Sequence, residues 1–308
     1  MNITEYSVVI PVFNSASTLP ELYERLQHTF SQINQRCEVI MVNDCSSDNS
    51  WEVIKTLKEK AGDNLIAISL RKNSGQHKAL LCGFHFARGK FIITLDDDLQ
   101  FFPEDIVLLI NRIHETNADM VYGVYEGVKQ HNLLRRWGSR AVAYIFERFG
   151  NTVGQGSSFK IIRSDVIDKI KHYNHSFTFL DEILSWHATK IEWQQVRHAP
   201  RREGSSGYSI PRLIFLTLNL IFAYTTIPLR FMTWFGLLSF IVCFGFIIYF
   251  TYRKIMYGTV IGFTALIVSV MLSTGLIMFS LGIIGEYLNR LFALQHRKPP
   301  FLIREILK

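Results

Sequence analysis

The sequence contains little cysteine and little charge for its 308 residues. Its four cysteines, Cys37, Cys45, Cys82 and Cys243, form no CxxC pair and no zinc-finger spacing. This favours free thiols in a reducing compartment over a disulfide- or zinc-stabilised fold. Charged residues make up 19% and hydrophobic residues 48%, which excludes a disordered chain. The N-terminal segment has no basic stretch and Pro11 breaks its apolar run, so we expect no signal peptide and a cytosolic first domain.

Acidic residues are nearly absent from the last hundred positions. Residues 209–308 hold nine Lys/Arg and two Asp/Glu, so the whole net charge of +7 lies there, and residues 1–208 are balanced. The basic excess flanks apolar runs, as membrane-surface anchors do. We therefore expect a membrane partner and no nucleic acid.

Two long runs in this region carry no charge. Phe231–Phe250 has 20 residues and Val260–Gly285 has 26, and each exceeds the roughly 18 residues that indicate a membrane-spanning helix. We predict a transmembrane hairpin over 229–286 and a C-terminal tail over 287–308. Segment 209–228 is more polar, which favours an interfacial helix, with a third span as the alternative.

The basic residues around these runs predict their orientation. Seven lie on the side of the first domain and two lie in the loop between the runs, which places the domain and both termini in the cytoplasm. Small residues within the runs permit close helix packing, so we expect a homo-oligomer, with a tetramer as one compatible state. These glycines are Gly236, Gly245, Gly275, Gly282 and Gly285.

Residues 1–208 predict an α/β domain. Short β-branched runs alternate with helical segments, which indicates βαβ units and a Rossmann-like, mainly parallel sheet. Ligands bind such sheets at the carboxyl ends of the strands. The predicted strands are Tyr6–Val12, Glu38–Asn43, Leu65–Leu70 and Phe91–Leu95, and the predicted helices are Leu19–Asn34, Ser50–Lys60 and His77–Ala87.

Polar clusters follow three of these strands, at Asn14, at 43–48 and at 96–100. In the last cluster, strand alternation predicts that Asp96 and Asp98 lie on one side and reach one ion. Carboxylate oxygens suit Mg²⁺ or Mn²⁺, which bridge to phosphate. No Walker loop, GxGxxG or HExxH is present, so we expect the metal to hold the phosphate. A solvated acidic turn is the alternative.

Five segments carry a resemblance to a known family. SVVIPVFN, VNDCSSDNS, RKNSGQHKALLCGF and LDDDLQFFPE, in this order, resemble family 2 glycosyltransferases with the GT-A fold. RREGSSGYS resembles the loop of polyprenyl-phosphate sugar transferases, the group of bactoprenol glucosyltransferases and dolichol-phosphate mannose synthase. The resemblance covers essentially the whole chain.

The resemblance implies a reaction and a location. It implies inverting transfer of a sugar from a nucleotide-sugar, a UDP-sugar by preference, to undecaprenyl phosphate or a similar polyprenyl phosphate. The enzyme would act at the cytoplasmic face of the bacterial inner membrane and supply lipid-linked sugar for cell-envelope glycans.

The resemblance also implies site residues. Asp96 and Asp98 match the DxD pair that binds metal and the donor diphosphate. Arg201, with Arg202 as substitute, matches the arginine of the closing loop. The resemblance thus implies a catalytic role for Asp96, Asp98 and Arg201, and we add Asp181 to this catalytic set because it follows an aromatic run near the expected acceptor side. The implied contacts to the nucleotide-sugar are Pro11, Val12, Asn14, Asn43, Asp44, Arg71, Asp97, Gln100, Arg201, Arg202, Ser206 and Tyr208.

The sequence departs from the family pattern at several points. Asn43 and Ser15 replace acidic residues, and GSSFKII offers Ser157 and Ser158 where some members carry an aspartate proposed as the base. A lipid phosphate is already mostly dianionic near pH 7, because its second pKa is about 6, and needs positioning more than a base.

Two further clusters have two interpretations each. Arg136 and Arg140 lie one helical turn apart and are predicted to hold the acceptor phosphate, with a solvated basic face as the alternative. Asp181 or Glu182 is predicted to orient the acceptor or the sugar hydroxyls, with a buried salt bridge as the alternative.

Two other functions stay open. A processive polysaccharide synthase carries QxxRW, and Gln194–Arg197 is followed by His198 where that motif has Trp. A membrane-anchored nucleotide-sugar-binding protein without catalysis is the second alternative, and the Asp96, Asp98 and Gln100 set argues against it.

Overall fold

The structure, a computed structural model, describes residues 4–125, 157–171, 180–199, 227–257, 263–295 and 299–308. The chain divides into two units. One unit is Met1–Ser206 with Lys298–Lys308, and the other is Gly207–Arg297.

A mixed eight-stranded sheet forms the centre of the first unit, in the order β7-β5-β6-β4-β1-β2-β3-β8. The central strands β4, β1, β2 and β3 are parallel, whereas β6 and β8 pair antiparallel with β4 and β3. The predicted α/β class is confirmed. The strands are β1 (Tyr6–Val12), β2 (Cys37–Asn43), β3 (Leu65–Leu70), β4 (Phe91–Thr94), β5 (Met120–Val124), β6 (Lys160–Arg163), β7 (Ile191–Gln195) and β8 (Ile303–Leu307).

Helices cover both faces of this sheet, which explains why its inner strands are buried along their whole length. Successive side chains of β1 divide between the faces, with Val8 and Ile10 in one hydrophobic cluster and Val9 in the other. The helices of this unit within the described residues are α1 (Leu19–Gln32), α2 (Ser50–Ala61), α3 (Gln76–Phe86), α4 (Ile106–Thr116), α5 (Ser164–Ile170) and α6 (Leu180–His187).

The sequence patterns of α1 and α3 fix how these helices meet the sheet. In α1, Leu19, Leu22 and Leu26 recur at helical spacing and are fully buried, and a proline lies in the first turn. In α3, Gly83 allows close approach to β1, because a Cβ there would collide with the side chain of Val9. Each such buried side chain stabilises the fold by about 1.5–3 kcal/mol.

The second unit contains α7 (Ile227–Tyr257) and α8 (Phe263–Gln295). α7 includes the first uncharged run, and α8 includes the second from Phe263 onward. No helix among the residues described here meets the joint criterion of length, hydropathy and charge for crossing a membrane. The transmembrane hairpin therefore stays a prediction, and most of the predicted interfacial helix, 209–226, lies outside the described residues.

The glycines predicted to mediate helix packing meet open space in this single chain. A Cβ added at Gly236, Gly245, Gly275, Gly282 or Gly285 would find no atom within 4 Å among the described residues. The predicted oligomer stays a prediction.

The C-terminal segment differs from the predicted tail. Residues 303–307 form β8, which adds to the edge of the sheet beside β3. The sequence analysis did not anticipate this strand, because a five-residue run after two long helices carries no local sign of its distant partner.

Candidate functional site

The polar clusters predicted from the sequence meet at one edge of the sheet. β1, β2, β3 and β4 are parallel, so the loops that follow them lie side by side. Backbone hydrogen bonds tie these loops together, from Asp44 N–H to the Val12 carbonyl at 2.8 Å and from Leu95 N–H to the Val9 carbonyl at 3.2 Å. The candidate site is therefore the cleft at the carboxyl ends of these four strands.

The three aspartates occupy a turn beyond β4. The strand ends at Thr94, so the alternation predicted for Asp96 and Asp98 does not apply to them. The turn closes through Leu99, which is buried and has a φ of 56°. The backbone N–H of Gln100 donates to Oδ1 of Asp98 at 3.1 Å, which holds that carboxylate against the turn.

Asp97 binds the turn to the loop after β1. Its Oδ2 accepts the backbone N–H of Phe13 at 2.9 Å, and its carbonyl accepts the Thr18 hydroxyl at 2.6 Å. The Asp97 carboxylate therefore has a structural role in this turn. Its predicted contact with the donor stays a prediction.

Asp96 lies on the cleft side of the turn. Its Oδ1 accepts the Gln76 side-chain amide at 2.6 Å. Burial raises the pKa of Asp96 to about 6, a hydrogen bond from Ser158 lowers it, and the charges of Asp98 and Asp97 raise it further. Three carboxylates so close together favour a cation among them.

The donor set of this turn fits a hard divalent cation. Within the described part of the chain, no group of three or more His, Cys, Asp or Glu side chains is placed to hold a metal by itself. A carboxylate pair such as Asp96 and Asp98 suits an ion that takes its other oxygens from a diphosphate and from water, as Mg²⁺ commonly does. The predicted metal is thus compatible with the site.

The residues predicted beside the nucleotide base hold neighbouring loops of the cleft together. Asp44 is buried, and its two oxygens accept the backbone N–H groups of Ser74 and Gly75 at 2.7 and 2.8 Å. Its pKa is raised by burial, and these two hydrogen bonds oppose the rise. Asn43 accepts from Ser46 N–H at 3.1 Å and donates to the Ser69 hydroxyl at 3.3 Å.

The residues predicted on and after β1 differ in their place in the fold. Asn14 lies in the cleft loop with a φ of 55°, and its side-chain oxygen accepts the backbone N–H of Ser47 at 2.8 Å. Pro11 and Val12 are buried within β1, opposite Val42 and Asn43. The predicted contacts of Pro11 and Val12 with the nucleotide-sugar stay predictions, and their burial in β1 leaves the backbone as the part that could make them.

Lys160 is a site residue that the sequence analysis missed. It pairs with Thr94 in the sheet, is 1% exposed and forms an ion pair with Asp181. The Tyr122 hydroxyl donates to the same Asp181 oxygen at 3.2 Å. Asp181 therefore has the buried salt bridge that the sequence left as an alternative. The available signal was a lysine that directly follows Phe159 and precedes two isoleucines in β6.

Glu182 contacts Trp186 of the same helix rather than Lys160. It is 1% exposed, and its Oε1 accepts the indole N–H of Trp186 at 3.1 Å. Burial raises its pKa, and the bond from Trp186 opposes the rise. These contacts hold α6 and give Glu182 no partner from the acidic turn.

Hydrogen bonds hold the segment after β7 against the acidic turn and against Asp105, which follows that turn in the chain. The Arg197 guanidinium donates to Oδ1 of buried Asp105 at 2.6 and 2.9 Å, and its backbone N–H donates to Oδ2 at 2.7 Å. The Ala199 N–H donates to the Gln100 carbonyl at 2.8 Å, and His198 stacks on Tyr125 with ring centroids 3.9 Å apart. Arg197, the arginine of the segment that resembles QxxRW, therefore forms a structural ion pair with Asp105.

One of the remaining predicted residues, Arg71, lies within the described part of the chain, and the others do not. Arg71 lies at the end of β3 and is exposed. The predicted residues for the acceptor phosphate and the closing loop lie outside the described residues. They are Arg136, Arg140, Arg201, Arg202, Ser206 and Tyr208.

Comparison with known proteins shows the family. Residues 7–176 match the profile of Glycosyl transferase family 2. The undecaprenyl-phosphate 4-deoxy-4-formamido-L-arabinose transferase of Yersinia pestis (strain Pestoides F) is 31% identical, over 99% of this chain and 94% of the relative. The protein of the same name from Pseudomonas aeruginosa (strain LESB58) is 31% identical, over 98% of this chain and 90% of the relative.

Two solved structures show weaker similarity. S. aureus TarS 1-349 in complex with UDP-GlcNAc has a TM-score of 0.49 and 21% identity, over 71% of this chain and 66% of that one. Glucosyl-3-phosphoglycerate synthase from Mycobacterium tuberculosis has a TM-score of 0.49 and 14% identity, over 71% and 78%.

Proposed function

The chain belongs to glycosyl transferase family 2 and is a glycosyltransferase, and we propose that it moves one sugar from a nucleotide-sugar to a polyprenyl phosphate. The proposed donor is a UDP-sugar and the proposed acceptor is undecaprenyl phosphate. Relatives at 31% identity that match nearly the whole chain are named as undecaprenyl-phosphate sugar transferases, which supports this acceptor.

The acidic turn at the sheet edge is the observation that carries the proposal. It presents Asp96 and Asp98 in the cleft while Asp97 fastens the turn to the loop after β1. Carboxylates repel a diphosphate unless a cation lies between them, so the proposal includes Mg²⁺ or Mn²⁺ held by Asp96 and Asp98. When bound, such an ion neutralises the charge that develops on the departing nucleoside diphosphate.

The residues around the turn set its geometry. Gln76 and Ser158 each hydrogen bond to Asp96, which fixes the direction of its carboxylate. Burial raises the pKa of Asp96 to about 6, and the charge of Lys160, in the neighbouring strand β6, partly opposes this rise. A cation bound at Asp96, as proposed, would oppose the effect of burial and favour the ionised carboxylate.

The proposed chemistry needs no strong base. A lipid phosphate has a second pKa of about 6, so its oxygen is largely deprotonated near pH 7 and attacks the anomeric carbon directly. The nucleoside diphosphate leaves from the opposite side, which inverts the configuration. Arg136 and Arg140 are proposed to hold the acceptor phosphate, and Arg201 or Arg202 the diphosphate, because two anions must be brought together.

The proposed location is the cytoplasmic face of a bacterial inner membrane. The uncharged runs Phe231–Phe250 and Val260–Gly285, with basic residues concentrated on the side of the first domain, support an integral hairpin. Such a hairpin would anchor the catalytic domain to the bilayer that holds the acceptor. We further propose a homo-oligomer, on the glycines of these runs.

The proposal is tested with the full chain purified in detergent. Undecaprenyl phosphate, Mn²⁺ and a panel of UDP- and GDP-sugars are supplied, and the lipid fraction is analysed by mass spectrometry. The proposal predicts a lipid that carries one sugar from one UDP-sugar. A polymeric product indicates a processive synthase, and absence of turnover with every donor indicates a binding protein.

A further inference from the structure

The last residues of the chain form β8, the outermost strand of the sheet next to β3. β8 pairs antiparallel with β3, with Ile303 opposite Leu70 and Leu307 opposite Ala67. Because the pairing is antiparallel, β8 begins where β3 ends, at the edge that forms the cleft. The Leu302 carbonyl accepts the backbone N–H of Arg71 at 2.8 Å, directly beyond the end of β3.

The loop that starts at Arg71 connects this contact to both halves of the site. The Arg71 carbonyl accepts the Cys45 thiol at 3.8 Å, and the Ser74 and Gly75 amides donate to Asp44. The loop then enters α3, whose first residue, Gln76, donates to Asp96. One short segment therefore links the loop after β2, the acidic turn and the C-terminal strand.

β8 itself is held by side-chain contacts within the first unit. Ile303 and Leu307 pack against the two hydrophobic clusters of the sheet. Phe301 meets His85 of α3 edge to face, with ring centroids 5.6 Å apart, and the Lys308 ammonium lies 5.6 Å from the centre of the Phe86 ring. Arg304 and Glu305, by contrast, are exposed.

We propose that residues 299–308 are a positioning element of the nucleotide site, an inference that rests on the proposed function. The Leu302 carbonyl holds the backbone N–H of Arg71 and thereby the loop 71–75. The pairing with β8 also keeps β3 from becoming an open edge strand. In sequence these residues follow both apolar helices. A fragment that ends before the helices therefore lacks part of its nucleotide site.

The test compares the full-length wild-type protein with three variants in detergent. These are a chain that ends at Lys298, the double variant Ile303→Asp/Leu307→Asp, and the control Arg304→Ala/Glu305→Ala. UDP and GDP are the probes, with Mn²⁺ present, and titration calorimetry gives their Kd. Turnover assays give kcat at saturating donor and the KM for undecaprenyl phosphate.

The inference predicts a selective loss. In the truncated chain and in the Asp double variant, the Kd of the nucleotide that wild type binds rises about tenfold or more. The KM for undecaprenyl phosphate and the kcat at saturating donor stay near their wild-type values, and the control behaves as wild type. A synthetic peptide of residues 299–308 restores affinity to the truncated chain, which excludes simple misfolding.

Hydrogen exchange gives a local readout of the same contact. The amides of Arg71, Ser74 and Gly75 exchange faster in both strand variants, whereas those of β1 keep their protection. Unchanged nucleotide Kd in both strand variants overturns the inference and leaves the proposed function intact. Equal losses for nucleotide and lipid, or faster exchange throughout the sheet, also overturn it. A wild-type protein that binds neither nucleotide overturns the proposed function and this inference together.

Discussion

Lys160 and Asp181 form an ion pair inside the domain, and Lys160 lies opposite Thr94, the last residue before the turn that carries the aspartates. The lysine side chain is 2% exposed and the aspartate side chain 17%. A charged group that is buried to this extent destabilises the fold when its counter-charge is removed.

We expect Asp181→Asn to destabilise the protein by about 3–5 kcal/mol, because it leaves the Lys160 ammonium buried without a counter-charge. The double variant Lys160→Met/Asp181→Leu recovers much of this loss. Denaturant unfolding of the full chain in detergent measures both. Asp168→Asn, which breaks the exposed pair with Lys171, is the control and costs less than about 1 kcal/mol. An Asp181→Asn protein as stable as that control contradicts the assignment.

The sequence anticipated the central strands because their signals are local. The runs at Tyr6–Val12 and Leu65–Leu70 match β1 and β3 to the residue, since each strand is a continuous apolar segment buried on both faces. β8 was missed because its partner β3 is more than two hundred residues away. Local composition carries no record of such a pairing.

The acidic turn shows a similar limit at the site. The cluster and its place at the sheet edge followed from the sequence, but the roles of its members did not. Asp97 binds Phe13 and Thr18, and Asp44 binds the amides of Ser74 and Gly75. Which carboxylates are engaged by the backbone depends on how the loops fold against each other, and no local pattern encodes that.

Substitution within the acidic turn separates its two kinds of carboxylate. We expect Asp98→Asn to lower kcat about 10²–10³-fold and to raise the Mn²⁺ concentration needed for half-maximal rate, because it removes a charge from the proposed cation site. Asp97→Asn is the matched control, since an amide oxygen still accepts the N–H of Phe13. Initial rates over a Mn²⁺ series measure both. Equal losses in the two variants contradict the proposed metal ligands.

Ser158 tests whether the reaction needs a base. It donates a hydrogen bond to Asp96 and lies in the segment where the family resemblance implies an acidic residue in some members. We expect Ser158→Ala to keep turnover within about tenfold of wild type, well short of the 10²–10⁴-fold that a general base contributes. Steady-state kcat at saturating lipid measures it. A loss near 10⁴-fold gives Ser158 a direct part in proton transfer.

The ion pair of Arg25 and Glu104 predicts a pH dependence of stability. Arg25 holds the pKa of Glu104 below its usual 4.5, through two hydrogen bonds of 2.8 and 2.7 Å. A lowered pKa in the folded state means that the stabilisation is present above pH 4.5 and is lost as the pH falls through the folded-state pKa. Because both side chains are partly exposed, we expect it to be worth about 0.5–1 kcal/mol.

Unfolding of Glu104→Gln and wild type between pH 7 and pH 3 checks this sign. We expect the variant to be less stable at pH 7 and the difference to shrink as the pH falls well below 4.5. Glu52→Gln, at the exposed i,i+3 pair with Lys55, is the control. A difference that grows on acidification contradicts the stabilising role of this pair.

The central claim is that the turn holding Asp96 and Asp98 carries sugar transfer to a lipid phosphate. The most direct measurement is the mass of the undecaprenyl phosphate recovered after incubation of the full chain with a UDP-sugar and Mn²⁺. It is made side by side for wild type and for the double variant Asp96→Asn/Asp98→Asn. The account predicts the added mass of one sugar with wild type and unmodified lipid with the variant. The same glycolipid formed at equal rate by both proteins, or by neither with any donor, contradicts it.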